Sequence, residues 1–477
     1  MQLDEKKKIG KQSVFLLLEK IVLGLLSLFT VVYTARKLGA ETFSILSYLL
    51  SVIAFLVAFS YMGLDVFVGR ETSYHLSINK SKIKKIFLTS IKLVLISSSI
   101  LTIGLIALSD FLPFSSQVRL MSPYLILTVF FSLSIIELTM LREIISKVIL
   151  NIIYTALLVV FMILFLTSGF GLTGAILAYQ ISTLIAIFLA AIVLFKYFKN
   201  IATQKNIDIK NMFKTSSKYF VSTVIQTFAY NINVFLLTFF AVTIGIQQVG
   251  FYSLGYKIAA FIGICLQFIP EAITPAIIQS HGEKNLKKLK LLFKNEMTYT
   301  FLLVFPIMFT LVSTADVIIL QFFKSEYADA IPVLQILSIF AATSVLMEIV
   351  KSLIVTKANF KYYFYIELFP AILTLLISVA LIPVFKSVGA AVSFVLTTTI
   401  VALYFYKKMV KEFRFKLPKS LIKEFIFSTL FLVLFLAPRE LYILVPFGIV
   451  LFIIYLMLLN LTKTINLKRI LETILKI

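Results

Sequence analysis

Runs of about 20 predominantly apolar residues recur along nearly the whole chain, and few folds can accommodate them. As α-helix at 1.5 Å per residue, such a run covers about 30 Å, the thickness of a hydrocarbon core. Closed β-barrels alternate apolar and polar residues at every second position, and these runs do not. Composition agrees: of 477 residues, 60% are hydrophobic and 14% charged, with a mean hydropathy of +1.03. Soluble domains carry about 25% charged residues, so a water-soluble enzyme is excluded. The expected fold class is an all-α integral membrane protein. Cys265 stands alone, so neither a disulfide framework nor a Cys-rich metal site is expected. The sequence has no P-loop, dinucleotide fingerprint, HExxH or CxxC motif, so no cofactor is expected and bound ATP is not this chain's energy source.

Hydropathy predicts about fourteen transmembrane helices: 13–34, 43–64, 86–108, 120–140, 144–166, 172–195, 219–242, 250–270, 297–318, 331–350, 362–382, 387–406, 424–437 and 441–460. Lys and Arg bias sets orientation. With the N-terminus in the cytosol, only Arg36, Lys37, Arg119, Lys324, Lys386 and Arg439 are external, and Lys20, Lys92 and Lys257 fall inside spans. The remaining basic residues crowd the cytosolic segments. A multi-pass protein of the cytoplasmic membrane with both termini cytosolic is the expectation. Met1–Gly10 with the first span superficially resembles a signal peptide, but the apolar run is too long and no small-residue cleavage site follows.

The net charge of +23 invites a nucleic-acid partner. Its spread over every cytosolic loop, beside anionic membrane lipids, argues against one. Two basic stretches, His281–Glu296 and Ile465–Ile477, set Leu and Ile at helical spacing opposite Lys and Arg, and are expected as helices lying on the membrane surface.

An internal repeat narrows the class further. LGAETFSILSY from Leu38 aligns with IGIQQVGFYSL from Ile244, placing Gly39 on Gly245 at an offset of 206. GLTGAILA, ending at Ala178, aligns with KSVGAAVS, ending at Ser393, placing Gly174 on Gly389 at an offset of 215. Spans 1 to 6 are then repeated as 7 to 12. Because six is even, both halves enter from the same side, the parallel-repeat layout used by one group of secondary transporters. The expected domains are a six-helix bundle at 1–200, a second at 201–418, and two extra helices with an amphipathic tail at 419–477.

TARKLGAETFSILSY after span 1, GLDVFVGRE (Gly63–Glu71), QQVGFYSLGYKIA (Gln247–Ala259) and ADVIILQFFKSEYADAIPVLQIL (Ala315–Leu337) resemble the signatures of polysaccharide-export flippases. These belong to the multidrug, oligosaccharidyl-lipid and polysaccharide superfamily. The resemblance covers spans 1 to 12 in order. It implies a V-shaped pair of six-helix bundles around a central cavity that turns lipid-linked oligosaccharides across the cytoplasmic membrane. Such relatives commonly hold the lipid's phosphate or pyrophosphate with cationic residues. Where they often carry arginine in span 1 this chain has Lys20, and where they often carry aspartate in span 7 it has Asn231 and Asn233. Spans 13 and 14 are similar to the layout of peptidoglycan lipid flippases.

An isolated charge at mid-bilayer costs about 2.5–3.5 kcal/mol on insertion scales, so the intramembrane lysines require an explanation. Lys92 is shallow enough for its stem to reach the surface. Lys20 and Lys257 are deeper. Either they snorkel too, or they bind a transported phosphate, for which a compact ammonium suits capture and release; Lys257 also lies in the family's GFYSLGYK element. By the repeat offset Lys20 corresponds to Gln226, and Tyr230, Asn231 and Asn233 extend that strip as candidates for sugar hydroxyls or for hydrogen bonds between helices. Glu19 is the deepest acid, placed to pair with a neighbouring helix or to bind a coupling H+ or Na+. Asp65 and Arg70 flank the end of span 2 as a candidate inner gate. Glu137, Glu348 and Glu367 are expected to pair with Arg142, Lys351 and Lys361. His75 and His281 lie in cytosolic loops outside any ligand-spaced cluster. Pro270, Pro306, Pro332 and Pro370 interrupt or begin spans and are candidate hinges.

Three rivals to the flippase remain. A membrane glycosyl polymerase or ligase would need a sizeable external loop, and the longest external segment, about 317–330, is too short. An ion-coupled multidrug exporter of the same superfamily predicts a net acidic cavity, and Glu19 keeps that reading open. A lipid scramblase or scaffold is disfavoured by the repeat. Expected partners are a lipid-linked oligosaccharide, membrane lipids, H+ or Na+, and a polysaccharide polymerase or glycosyltransferases.

Overall fold

The computed structural model describes residues 2–76, 79–202, 209–266, 285–356 and 360–413, with isolated positions at 273–283 and 425–457. Every element among these is helical. In chain order they are α1 (Gln2–Tyr61), α2 (Leu64–His75), α3 (Lys80–Ala107), α4 (Ser115–Met121), α5 (Pro123–Met140), α6 (Ile144–Thr167), α7 (Gly171–Phe198), α8 (Ile209–Phe239), α9 (Ala241–Ile244), α10 (Gln247–Leu266), α11 (Leu286–Phe322), α12 (Ala330–Thr356) and α13 (Phe360–Phe413). Among the described residues, nine helices are long and apolar enough to cross a membrane. Two of them are long enough for two crossings each: the described part of α1 from Glu19, 43 residues, and of α13 from Phe364, 50 residues. Expected spans 13 and 14, the tail helix Ile465–Ile477, Pro270 and His281 lie outside the described residues.

The expected loop between spans 1 and 2 is instead a kink. α1 runs through Gly39, where φ is 77° and ψ 168°, values a side chain resists and glycine accepts. Gly245, its repeat mate, has φ 89° and separates α9 from α10. Likewise spans 11 and 12 form one helix, α13, broken only at Lys386 (φ 55°, ψ −132°). The second glycine pair serves close approach. A Cβ on Gly174 would meet Phe165 and Phe170 at under 3 Å, and one on Gly389 would lie 2.5 Å from the Leu381 carbonyl oxygen. Both halves therefore fold their last two helices into a hairpin closed over a glycine.

The expected surface helix at His281–Glu296 is corrected from Leu286 onward. That segment runs without interruption into the ninth span as α11, with Leu289 and Phe293 buried. Leu289 and Phe293 face protein because the same helix continues into the core of its bundle, while Leu286 and Leu291 stay exposed.

The chain divides into two compact units, Met1–Ala241 and Val242–Ile477. A boundary near residue 200 would leave α8 with the second half. In the structure α8 groups with the first unit, packed along α1 by ring contacts of Phe55 with Phe228 (5.9 Å) and Phe235 (5.7 Å) and of Phe59 with Phe220 (5.7 Å).

In the first unit, α6 lies against α1 and α7, and α5 against α3 and α7. Tyr124 and Tyr154 meet oxygen to oxygen at 3.2 Å between α5 and α6, satisfying two hydroxyls that lipid could not. Lys84, near the start of α3, donates to the carbonyls of Phe198 (2.9 Å) and Ile201 (2.7 Å), capping the negative end of α7. In the second unit α12 lies among α10, α11 and α13 around a core including Phe293, Met297, Ile349, Val350, Phe405 and Met409. Small polar residues lock the helices: Ser378 and Ser393 at 2.6 Å within α13, and Gln248 Oε1 accepting from the Ser387 hydroxyl at 2.7 Å. Outward faces such as Ile96, Ile100 and Ile103 of α3 and Phe188 and Phe195 of α7 stay apolar and exposed, as a lipid-facing surface requires.

Candidate functional site

The charged residues within the helices fall into separate groups, each set by which face of its helix it occupies. Glu19 is buried at 3% exposure on α1, facing α6. Its Oε2 accepts from Lys147 Nζ at 2.6 Å and its Oε1 from Asn151 Nδ2 at 2.7 Å. Lys147 and Asn151 are four apart, one helical turn, so both reach the same carboxylate. Neither was singled out from sequence, although two polar residues at that spacing in an otherwise apolar span were a usable signal. Adjacent helical positions point about 100° apart, so Lys20 leaves this face; it is half-buried.

Along α8, Gln226 is half-buried, Tyr230 exposed, Asn231 half-buried and Asn233 fully buried. Asn231 donates its amide to the Thr227 carbonyl at 2.8 Å, leaving its side-chain oxygen as the group for a neighbour or ligand. In the second unit Lys257 is half-buried on α10, next to Tyr256, whose ring meets Phe340 at 6.0 Å and Phe394 at 5.6 Å. Lys92 is exposed on α3.

Asp65 and Arg70 both lie on α2, five positions apart, which turns them roughly 140° from one another on a helix. They form no ion pair with each other. Arg70 Nη1 donates to Tyr219 Oη of α8 at 3.1 Å. Asp65, at the start of α2, has one carboxylate oxygen buried without a hydrogen-bond partner. Burial pushes its carboxyl above the usual aspartate range, while the amides of Val66 and of Asp65 itself oppose that shift.

The expected pairings of the remaining acids hold only in part. Lys351 bridges Glu348 (3.5 Å) and Glu367 (3.0 Å). The side chain of Lys361 lies outside the described residues. Glu137 does not reach Arg142; fully buried on α5, it accepts from Thr72 Oγ1 of α2 at 2.9 Å. Arg142 follows the end of α5 with φ 62°, where the chain has already turned away. His75, buried at the end of α2, contacts Lys82 at 2.9 Å and Glu71 at 3.4 Å, and no further His, Cys, Asp or Glu among the described residues completes a metal site there. No group of His, Cys, Asp and Glu among the described residues could hold a metal ion. Pro306 lies inside α11, Pro370 inside α13, and Pro332 in the first turn of α12.

The arrangement is a set of polar positions on long apolar helices rather than a catalytic constellation. A family model described as polysaccharide biosynthesis protein matches residues 9–281, and a second, MatE, matches residues 219–380. No curated protein matches by sequence. Among solved structures, the lipid II flippase MurJ in an inward closed conformation superposes with a TM-score of 0.71 at 15% identity, covering 95% of this chain and 99% of MurJ. An inward-facing multidrug resistance MATE family transporter gives 0.70 at 16% identity, with coverages of 84% and 96%. A transporter of the same MOP superfamily from Pyrococcus furiosus, noted for reverse polarity of its binding pocket, gives 0.60 at 16% identity, with coverages of 86% and 96%. At such identities the likeness establishes the fold, and the first family match, over more than half of the chain, establishes the family. This multi-pass membrane protein, helical throughout its described elements, therefore belongs to the polysaccharide biosynthesis protein family.

Proposed function

We propose that the chain turns a polyprenyl-phosphate- or pyrophosphate-linked oligosaccharide across the cytoplasmic membrane, by alternating access, for cell-surface polysaccharide synthesis. The observation that carries this reading is the polysaccharide biosynthesis match over residues 9–281, within which Lys20 and Lys257 are half-buried cations on apolar helices. An anionic phosphate offsets the cost of keeping an ammonium inside a membrane. The ammonium's point charge binds without a fixed two-pronged geometry, which suits a ligand that must be released. Gln226, Tyr230, Asn231 and Asn233 then supply hydrogen bonds for sugar hydroxyls, and the lipid tail stays among membrane lipids.

The MatE match over residues 219–380 supports a second reading, an ion-coupled exporter of cationic compounds. That reading draws on Glu19 as an acid for a cation. The hold of Lys147 and Asn151 on the Glu19 carboxylate favours the anionic substrate instead.

The test is replacement of each lysine, Lys20→Gln and Lys257→Gln, singly and together, with membrane expression monitored. The expected result is loss of surface polysaccharide and accumulation of the lipid-linked oligosaccharide on the cytosolic leaflet. Unchanged surface glycan in the double variant overturns the site, and retained glycan after deletion of the whole chain, with lost drug tolerance, overturns the substrate class in favour of export.

A further inference from the structure

Glu296 differs from every other described acid in the second unit. It lies on α11 at 0% exposure, and neither carboxylate oxygen has a hydrogen-bond partner. One turn along the same face, Thr300 is also fully buried and its hydroxyl is likewise unpartnered. One turn back, Phe293 stacks on the ring of Tyr406 of α13, centroids 6.4 Å apart, and the Tyr406 hydroxyl is a fourth buried oxygen without a partner. The surroundings are otherwise apolar: Phe293, Met297, Ile349, Val350 and Met409 belong to one continuous core.

Among the described residues, the ion pairs of this unit are made by other acids. Lys351 of α12 is held by Glu348 and by Glu367 of α13. On α11 itself Lys290 and Lys294 are exposed to solvent. Among the described residues, no ion pair reaches Glu296. A buried carboxylate with neither a counter-ion nor a hydrogen bond is one of the costliest states a side chain can occupy, and it is avoided by binding a cation. The bare oxygens of Thr300 and Tyr406 do not make the six-oxygen or larger shell of a hard metal ion.

We propose that Glu296 is a protonation site of the second bundle: at neutral pH its carboxyl holds one proton in the α11 core and releases it only when water reaches that core. The site stands whatever the chain carries, so it survives failure of the lipid-linked substrate assignment. Its ligand is a proton and its carrier a single carboxyl, distinct from the paired Glu19.

The test uses the full chain, purified into lipid nanodiscs, and infrared spectroscopy of protonated carboxyl C=O bands at neutral pH, in sodium-free buffer and with sodium added. The expected result is a protonated-carboxyl band that is lost in Glu296→Gln, shifted in Glu296→Asp, and indifferent to sodium. Loss of the band on adding sodium overturns the proposal in favour of a monovalent-cation site. A spectrum unchanged in both variants overturns it outright. Labelling the glutamate carboxyls of unmutated protein with carbon-13 keeps the test independent of how the variants fold: absence of any isotope-shifted protonated band also overturns it.

Discussion

Gly171 and Lys386 hold the same left-handed backbone angle, φ 53° and 55°, at the same place in the two halves. The interval between them is the 215 residues that also separate Gly174 from Gly389. Each opens the last helix of its six-span repeat: Gly171 begins α7, and Lys386 is the break within α13. One of these two positions is glycine; at the other a Cβ sits where L-residues are strained.

Lys386→Gly should therefore stabilise the protein. A non-glycine residue in a sparsely populated region costs on the order of 1–3 kcal/mol, partly offset by the greater freedom of glycine in the unfolded chain. A rise in apparent melting temperature in detergent is expected, whereas Gly171→Ala should lower it. Equal falls for both variants would show that the shared angle carries no strain at Lys386.

The Glu19–Lys147 pair predicts a different pattern. Lys147→Met leaves the nearly buried Glu19 carboxylate with only Asn151, and breaking a buried pair costs roughly 3–5 kcal/mol. Adding Glu19→Gln in the same chain removes the orphaned charge, so the double variant should recover most of the loss. A double-mutant cycle on melting curves measures this, and additive losses would mean that the pair is screened by water.

Gly389→Ala places a methyl 2.5 Å from the Leu381 carbonyl oxygen, which is backbone and cannot rotate away. The α13 hairpin should open or the protein fail to accumulate in the membrane. Gly104→Ala on α3, where nothing lies within 4 Å of the added carbon, is the matched control. It should be neutral or gain up to about 1 kcal/mol from helix propensity. Membrane yield and melting temperature of the two report the contrast.

Asp65 supplies a pH dependence with a definite sign. Burial raises its carboxyl above the unfolded value, so the folded state binds the proton more tightly. Its contribution to stability is complete below the unfolded value of about 3.9 and is lost as pH rises through the folded-state value. Melting temperature of the unmutated protein minus that of Asp65→Asn should fall over that window. A difference that rises with pH would mean that the carboxylate is stabilised in the fold.

Much of the architecture was legible because membrane crossing imposes it residue by residue. Apolar length marked α3, α5, α6, α7 and α12 to within a few positions. The two glycine matches set the register of the repeat, and the structure showed what those glycines do: a kink at Gly39, a break at Gly245 and close approaches at Gly174 and Gly389. The loops between spans 1 and 2 and between 11 and 12 misled, since hydropathy falls at a kinked helix just as it does at a loop. The charged residues were legible only as a set. Glu19 stood out as deep, but its partners lie 128 and 132 residues away on α6. Arg70 turned to Tyr219 in place of Asp65.

What the chain order determined alone was the membrane-spanning class and the apolar lengths of its helices, because these follow residue by residue from local hydropathy. Only the tertiary structure decided which polar groups meet and which are left bare inside a core. Helix rotation sets that outcome: a turn of about 100° per residue carries a side chain from a partner to lipid, and rotation is chosen by packing against neighbours far away in the chain. Glu19 with its two donors and Glu296 with none are two results of that choice.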